Sequence, residues 1–212
     1  MLQTQQLTFS LPYRTTYTRE SFLLSQCNEE AVRWIDKYPH WNTHAVLVYG
    51  DKGCGKSLLA HIFSNTIYHA ASLPEIPENL EDKIVIENLE ELKDETLLFH
   101  WYNHTKNHKK GLLITSSCLP NFKLKDLSSR FSTIPKIHIS PPDEILLFGV
   151  LYKSFSEKHI HIDIKVLEYI VTHIPRTFEA VQKIIKEADE FSLAYQRPVT
   201  IPMIKKMITD LF

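Results

Sequence analysis

Hydrophobic and polar residues are arranged along this chain in two rhythms. Between positions 28 and 37, Ala31, Val32, Trp34 and Ile35 recur among charges at a helical period, and Tyr38-Pro39 is placed to stop that helix. A strand-like run at 44–50 (HAVLVYG) leads into a glycine-rich turn. Residues 57–71 follow as one helix, with Leu58, Leu59, Ile62, Phe63 and Ile67 on one side. Residues 83–86 and 111–115 are short apolar runs of the kind buried on both faces of a sheet, 94–104 between them reads as a helix, and 137–139 reads as a further strand. This alternation predicts an α/β core on a parallel sheet with helices on both faces. Ser140-Pro141-Pro142 breaks the pattern, and beyond it helical periods fill 143–159, 164–173, 177–195 and 201–211. The predicted division is a polar, Thr-rich arm at 1–20, a core at 21–140 and a small helical domain at 141–212.

Composition narrows the class. Across 212 residues, 43% hydrophobic and 23% charged content describes a packed globular chain, which excludes disordered and collagen-like classes. A formal net charge of -1 gives no global footprint for nucleic acid. Apolar runs such as 45–49 fall far below the roughly 20 residues that span a bilayer, and the polar start MLQTQQ lacks the charged and apolar regions of a signal peptide. Cys27, Cys54 and Cys118 are odd in number and widely spaced, which fits a reducing compartment, so a cytoplasmic protein with no membrane partner is expected.

The glycines carry the strongest chemical signal. Gly50, Gly53 and Gly55 are three of only five in the chain, and all lie in Gly50-Asp51-Lys52-Gly53-Cys54-Gly55-Lys56-Ser57, between a strand and a helix. This is the spacing of a phosphate-binding P-loop. Peptide N–H groups at the helix N-terminus would cradle phosphates, Lys56 would reach the outer ones, and the Ser57 hydroxyl would bind Mg²⁺. The expected nucleotide-binding stretch is this whole loop with Leu58 behind it, and its ligands are ADP or ATP with Mg. Cys54 reads as a filler residue.

Such a loop needs an acid at a neighbouring strand end to hold the metal and polarise water. Ile84-Val85-Ile86-Glu87-Asn88 offers Glu87 as metal ligand and catalytic carboxylate, but Asn88 cannot act as a carboxylate base, so weak or absent intrinsic hydrolysis is expected. Lys125-Asp126-Leu127-Ser128-Ser129-Arg130-Phe131 has two readings: an exposed turn with a solvated Arg, or an arginine finger that presents Arg130 to a nucleotide in a neighbouring subunit. Thr115, Ser116 and Ser117 end a strand either as a plain cap or as sensors of a γ-phosphate. His100, His104 and His108 have metal-ligand spacing on a helix without a clear fourth ligand, and Lys106, Lys109 and Lys110 form a short basic patch that reads as solvated.

These residues resemble the AAA+ initiator proteins of the DnaA type, and within them the short DnaA-homologous regulators of the Hda type. The resemblance covers nearly the whole chain. Ser21-Phe22-Leu23-Leu24-Ser25 with Asn28 is similar to the family's segment beside the adenine pocket, which implies Phe22 and Asn28 as nucleotide-binding residues. Residues 95–103 resemble the helix after the acidic strand, and 112–117 with Leu119-Pro120 the sensor 1 strand, which puts Ser117 in the nucleotide site. LSSRF resembles the arginine-finger box around Arg130, and Pro175-Arg176-Thr177-Phe178 places Arg176 at the lid's sensor 2 position. In the arm, Gln6-Leu7-Thr8-Phe9-Ser10-Leu11 resembles the peptide by which Hda-type proteins dock on the DNA sliding clamp, with Gln6 as polar anchor and Leu7, Phe9 and Leu11 in an apolar groove; the alternative is a frayed tail.

The resemblance implies an AAA+ P-loop domain with a five-stranded parallel sheet and a small C-terminal helical lid. The chain stops at Phe212 without the basic helix-turn-helix domain of full initiators, so direct DNA binding is not expected. A regulator follows: docked on the clamp, it promotes hydrolysis of ATP bound to a DnaA-type initiator through Arg130. Monomer and homodimer both stay open. The alternatives are an AAA+ adaptor or helicase-loader-like ATPase at the replication fork, and a stand-alone P-loop kinase, for which Arg176 and Arg197 are the available lid arginines.

Overall fold

The computed structural model describes residues 18–195 and 197–212. These fall into two compact units, one ending at Pro141 and the other running Pro142–Phe212. The first contains, in order, α1 (Glu29–Lys37), β1 (Ala45–Gly50), α2 (Lys56–Phe63), β2 (Ile67–His69), β3 (Lys83–Glu87), α3 (Glu95–Asn107), β4 (Gly111–Ser116), α4 (Lys125–Thr133) and β5 (Lys136–Ile139). All strand pairs are parallel, in the order β2-β3-β4-β1-β5.

The continuous apolar runs explain why the sheet is central. Ala45, Leu47, Ile84, Ile86, Leu112 and Ile114 pack with Leu98 and Trp101 of α3 and with Leu127 and Phe131 of α4. The alternate residues Val46, Val48, Val85 and Leu113 are as fully buried and belong to the opposite face, which α1 and α2 cover. Asp94 starts α3 by accepting hydrogen bonds from the N–H groups of Thr96 (2.8 Å) and Leu97 (3.1 Å), a cap worth about 1 kcal/mol.

Two expectations need correction. The single helix over 57–71 ends at Phe63, and Ile67, expected on its apolar side, instead opens the edge strand β2 against Val85. The Ser64 hydroxyl donates to the Lys83 carbonyl at 2.6 Å and accepts from the Thr66 N–H at 2.9 Å, so the chain leaves the helix here and turns along β3. Residues 125–133 form helix α4 rather than an exposed turn, because Leu127 and Phe131, four apart, both seal the sheet face. Smaller differences are that α3 runs on to Asn107, and that Arg19, expected in the arm, forms a two-pronged ion pair with Asp36.

The second unit consists of α5 (Glu144–Glu157), α6 (Ile164–His173), α7 (Phe178–Tyr195) and α8 (Ile201–Leu211). Asp143 and Asp163 cap α5 and α6 through the N–H groups of Leu146 (2.7 Å) and Lys165 (2.8 Å). Leu147, Leu151 and Phe155 of α5 meet Leu167 and Ile170 of α6, Val181 and Ile184 of α7, and Ile204 of α8 in a core of their own.

His44, just ahead of β1, stands edge-on against Tyr102 at 4.4 Å. Burial, and then the charge of Lys106, lower its pKa from 6.5 to about 4. Between those values the unfolded chain binds a proton that the folded chain refuses. Stability is therefore lost as pH falls from 6.5 towards 4. After a discount for His44's partial solvent access, urea denaturation should show the wild type losing about 1–2 kcal/mol more than His44→Gln between pH 7 and 4.5. Parallel pH profiles for the two proteins would refute this.

Candidate nucleotide site

Three adjacent strands end together at the carboxyl edge of the sheet. β1 runs out at Gly50, β4 beside it at Ser116, and β3 beyond that at Glu87, so residues far apart in sequence converge by register alone. A ligand crevice at the carboxyl ends of parallel strands is the general placement for open α/β sheets.

Gly50 is required by space: a Cβ there would stand 2.6 Å from the Ile139 carbonyl oxygen of β5. Gly53 (φ 82°) and Gly55 (φ 95°) take left-handed backbone conformations that L side chains rarely adopt. Gly55 caps α2, and the edge of the buried Phe22 ring closes on it, leaving only 3.1 Å to a Cβ at that position. Asp51, Lys52 and Gly53 are exposed, Cys54 is buried, and Ser57 is exposed in the first turn of α2 with Leu58 next to it. Lys56 is buried, with its ammonium donating to the carbonyls of Gly50 (2.6 Å) and Asp51 (2.8 Å). Burial pushes the Cys54 thiol up, and the neighbouring Lys56 charge pulls it part of the way back.

Glu87 is 4% exposed, and its Oε1 has no hydrogen-bond partner. An unpaired buried carboxylate oxygen is costly, which marks this strand end as a place for a cation or donor. Asn88 takes a left-handed conformation (φ 56°), and its N–H donates to the Thr115 hydroxyl at 3.4 Å. Glu90 ties the neighbouring strand end, accepting from the Ser117 N–H (2.9 Å) and the Ser116 hydroxyl (3.2 Å). Burial pushes the Glu90 carboxyl up, but hydrogen bonds from its own N–H and from Ser117 and Ser116 outweigh it and hold the group below its ordinary value. Sequence reasoning missed Glu90, since nothing in its local pattern signals a partner 27 residues away.

Asn28 plays a supporting part. Its side chain accepts from the Ser25 N–H (3.0 Å) and donates to the Leu23 carbonyl (2.9 Å), fixing the backbone that follows Phe22. Arg130 lies on α4 with its guanidinium over the rings of Phe99 (4.9 Å) and Tyr102 (5.9 Å). Its Nε is buried without a partner, and it forms no ion pair among the described residues. Arg176 belongs to the second unit and pairs there with Glu144. Gln6, Leu7, Phe9 and Leu11 lie outside the described residues. No group of three or more metal-ligating side chains occurs among the described residues, and His104 and His108 stack on one another at 4.0 Å.

Residues 149–208 match the family described as the Hda lid domain. The chain is 23% identical over 242 aligned positions to the chromosomal replication initiator protein DnaA of Buchnera aphidicola, covering 96% of this chain and 53% of that protein. It therefore spans about half the length of that relative. Domain III of the Thermotoga maritima replication initiation protein DnaA superposes with a TM-score of 0.75 at 18% identity, over 92% of this chain and 96% of that one. The AMPPCP-bound DnaA of Aquifex aeolicus gives a TM-score of 0.64 at 15% identity, over 85% of this chain and 68% of that one. The fold is thus the AAA+ α/β fold with a five-stranded parallel sheet, and the chain is similar to DnaA-type initiators over most of its length and to the Hda lid domain over residues 149–208. No described helix is long and apolar enough to cross a membrane.

Gly50→Ala tests the close approach of β1 and β5. Because the obstructing atom is backbone, the added methyl should destabilise the protein by about 1–3 kcal/mol in chemical denaturation, and an unchanged midpoint would contradict the geometry.

Proposed function

We propose that this protein regulates replication initiation by holding a nucleotide in its own phosphate loop and presenting Arg130 to ATP bound by a DnaA-type initiator. The observation that carries the reading is the state of Arg130: a guanidinium on an outer helix, free of any acidic partner among the described residues and resting on two aromatic faces. An arginine held this way remains available to a phosphate offered from outside, where its planar fork forms charge-assisted hydrogen bonds.

In the chain's own site, the N–H groups of residues 53–57 and Lys56 would take the phosphates of ADP or ATP, while Ser57 and Glu87 would hold Mg²⁺. The residues fit that role: Glu87 has an orphaned buried oxygen, and Lys56 already sits among the loop carbonyls. Bound Mg²⁺ would neutralise phosphate charge. Asn88 supplies no second carboxylate beside Glu87, which favours retention of nucleotide over its turnover. Arg176 of the lid is the proposed sensor of that nucleotide. Gln6, Leu7, Phe9 and Leu11 would tether the protein to the sliding clamp and so confine its action to replicating DNA.

Initiator ATP turnover in the presence of clamp-loaded DNA separates these elements. Arginine fingers contribute roughly 10³ to 10⁵ in rate, so Arg130→Ala should reduce stimulated turnover to near the unstimulated level; equal turnover with wild type sinks the proposal. In a clamp pull-down, Gln6→Ala should abolish capture, and capture that persists removes the tether from the mechanism.

A further inference from the structure

At the opposite, amino-terminal edge of the same sheet lies a cleft of about 540 Å³, lined by Trp41, Asn42, His44, Tyr102, Lys106 and Lys109 among others. The volume falls in the range of small-molecule sites, roughly 300–1,000 Å³. β1 separates this end from the phosphate loop by about 20 Å, at ~3.3 Å per strand residue.

Three features of the cleft go unused by the nucleotide site. Of its lysines, Lys110 is engaged by Asp82 (2.9 Å) and the Leu80 carbonyl (3.0 Å), whereas Lys106 and Lys109 form no ion pair among the described residues. Their position, Lys106 in the last turn of α3 and Lys109 just past its end, suits the helix dipole, but that leaves the second feature unexplained. The Nε2 of His44 is buried and has no hydrogen-bond partner. Third, the aromatic walls are fixed in advance. Trp41 donates its Nε1 to the Trp34 carbonyl at 2.6 Å and stacks on Phe63 with planes 3° apart, and Tyr102 is held edge-on by His44.

We propose that this cleft binds a small phosphorylated ligand carrying a planar ring, of the mononucleotide class, separately from the phosphate loop. Lys106 and Lys109 take the phosphate, His44 Nε2 gains the hydrogen-bond partner it lacks, and the ring lies against the aromatic wall. The same chemistry is offered by a free nucleotide and by one unit of a single strand.

The test is an NMR titration of the full chain with thymidine monophosphate, inorganic phosphate and a ten-residue oligothymidylate, reading the His44 ring signals beside the Gly53 and Gly55 amide signals. Thymidine monophosphate should shift His44 saturably, and Lys106→Ala/Lys109→Ala should weaken this at least ~10-fold, as expected for losing charge-assisted bonds to phosphate. Oligothymidylate binding at least ~10-fold tighter than the monophosphate identifies a strand as the source, while equal affinity identifies the free nucleotide. Shifts confined to Gly53 and Gly55, or a His44 response indifferent to the lysine substitutions, overturn the proposal. Inorganic phosphate binding as tightly as the monophosphate overturns recognition of the ring.

Discussion

A parallel sheet covered on both faces leaves its polar chemistry nowhere to go but the strand ends. Ala45, Val46, Leu47, Val48, Ile84, Val85, Ile86, Leu112, Leu113 and Ile114 are all fully buried, and the ladders between strands consume their backbone groups. Any side chain that must meet water, phosphate or metal is therefore displaced to one edge or the other. At the carboxyl edge this brings the phosphate loop, Glu87 and the Ser116-Ser117 turn side by side. At the amino edge it brings His44, Tyr102 and the lysines at the C-terminal end of α3 together. Both edges hold a buried polar atom without a partner, Glu87 Oε1 at one and His44 Nε2 at the other.

Within the loop, backbone geometry and charge are coupled. The close passage of Gly50 beside Ile139 draws the chain tightly round the end of β5, and the left-handed turns at Gly53 and Gly55 return it to start α2. That path aims the carbonyls of Gly50 and Asp51 inward, where Lys56 meets them, so the ammonium is buried without an acidic partner. A lysine held only by carbonyl dipoles has no salt bridge to break before it meets the phosphate proposed for this loop. Phe22, fixed from behind by Asn28, closes the far side of the loop.

The parts of this arrangement legible in sequence are those whose cause is local. Three glycines between a strand-like and a helix-like run specify the loop, and continuous apolar runs specify β1, β3 and β4, because each is too short for a buried helix. β2 escaped detection because three residues, Ile67-Tyr68-His69, follow α2 too closely to show a period; Ser64 decides the break through its bond to Lys83, 19 residues away. α4 escaped because Ser128, Ser129, Ser132 and Thr133 make its surface read as a turn, and only the packing of Leu127 and Phe131 on the sheet makes it helical. Glu90 and the pairing of His44 with Tyr102 depend on strand register, which periodicity does not encode.

The same long-range packing sets the poise of Arg130. Its stacking over Phe99 and Tyr102 is worth about 0.5–2 kcal/mol, depending on how far the contact is desolvated. Against it stands the buried, unpartnered Nε, and an unmade hydrogen bond of this kind costs about 1–3 kcal/mol. The two terms nearly cancel, so the aromatic rest position orients the guanidinium without trapping it. A phosphate from a neighbouring molecule offers charge-assisted bonds of about 1.5–3 kcal/mol each, enough to draw the side chain outward. An acidic residue in place of Phe99 would reverse that balance by holding Arg130 in an ion pair, and the role proposed for Arg130 in trans is better served by the weaker contact.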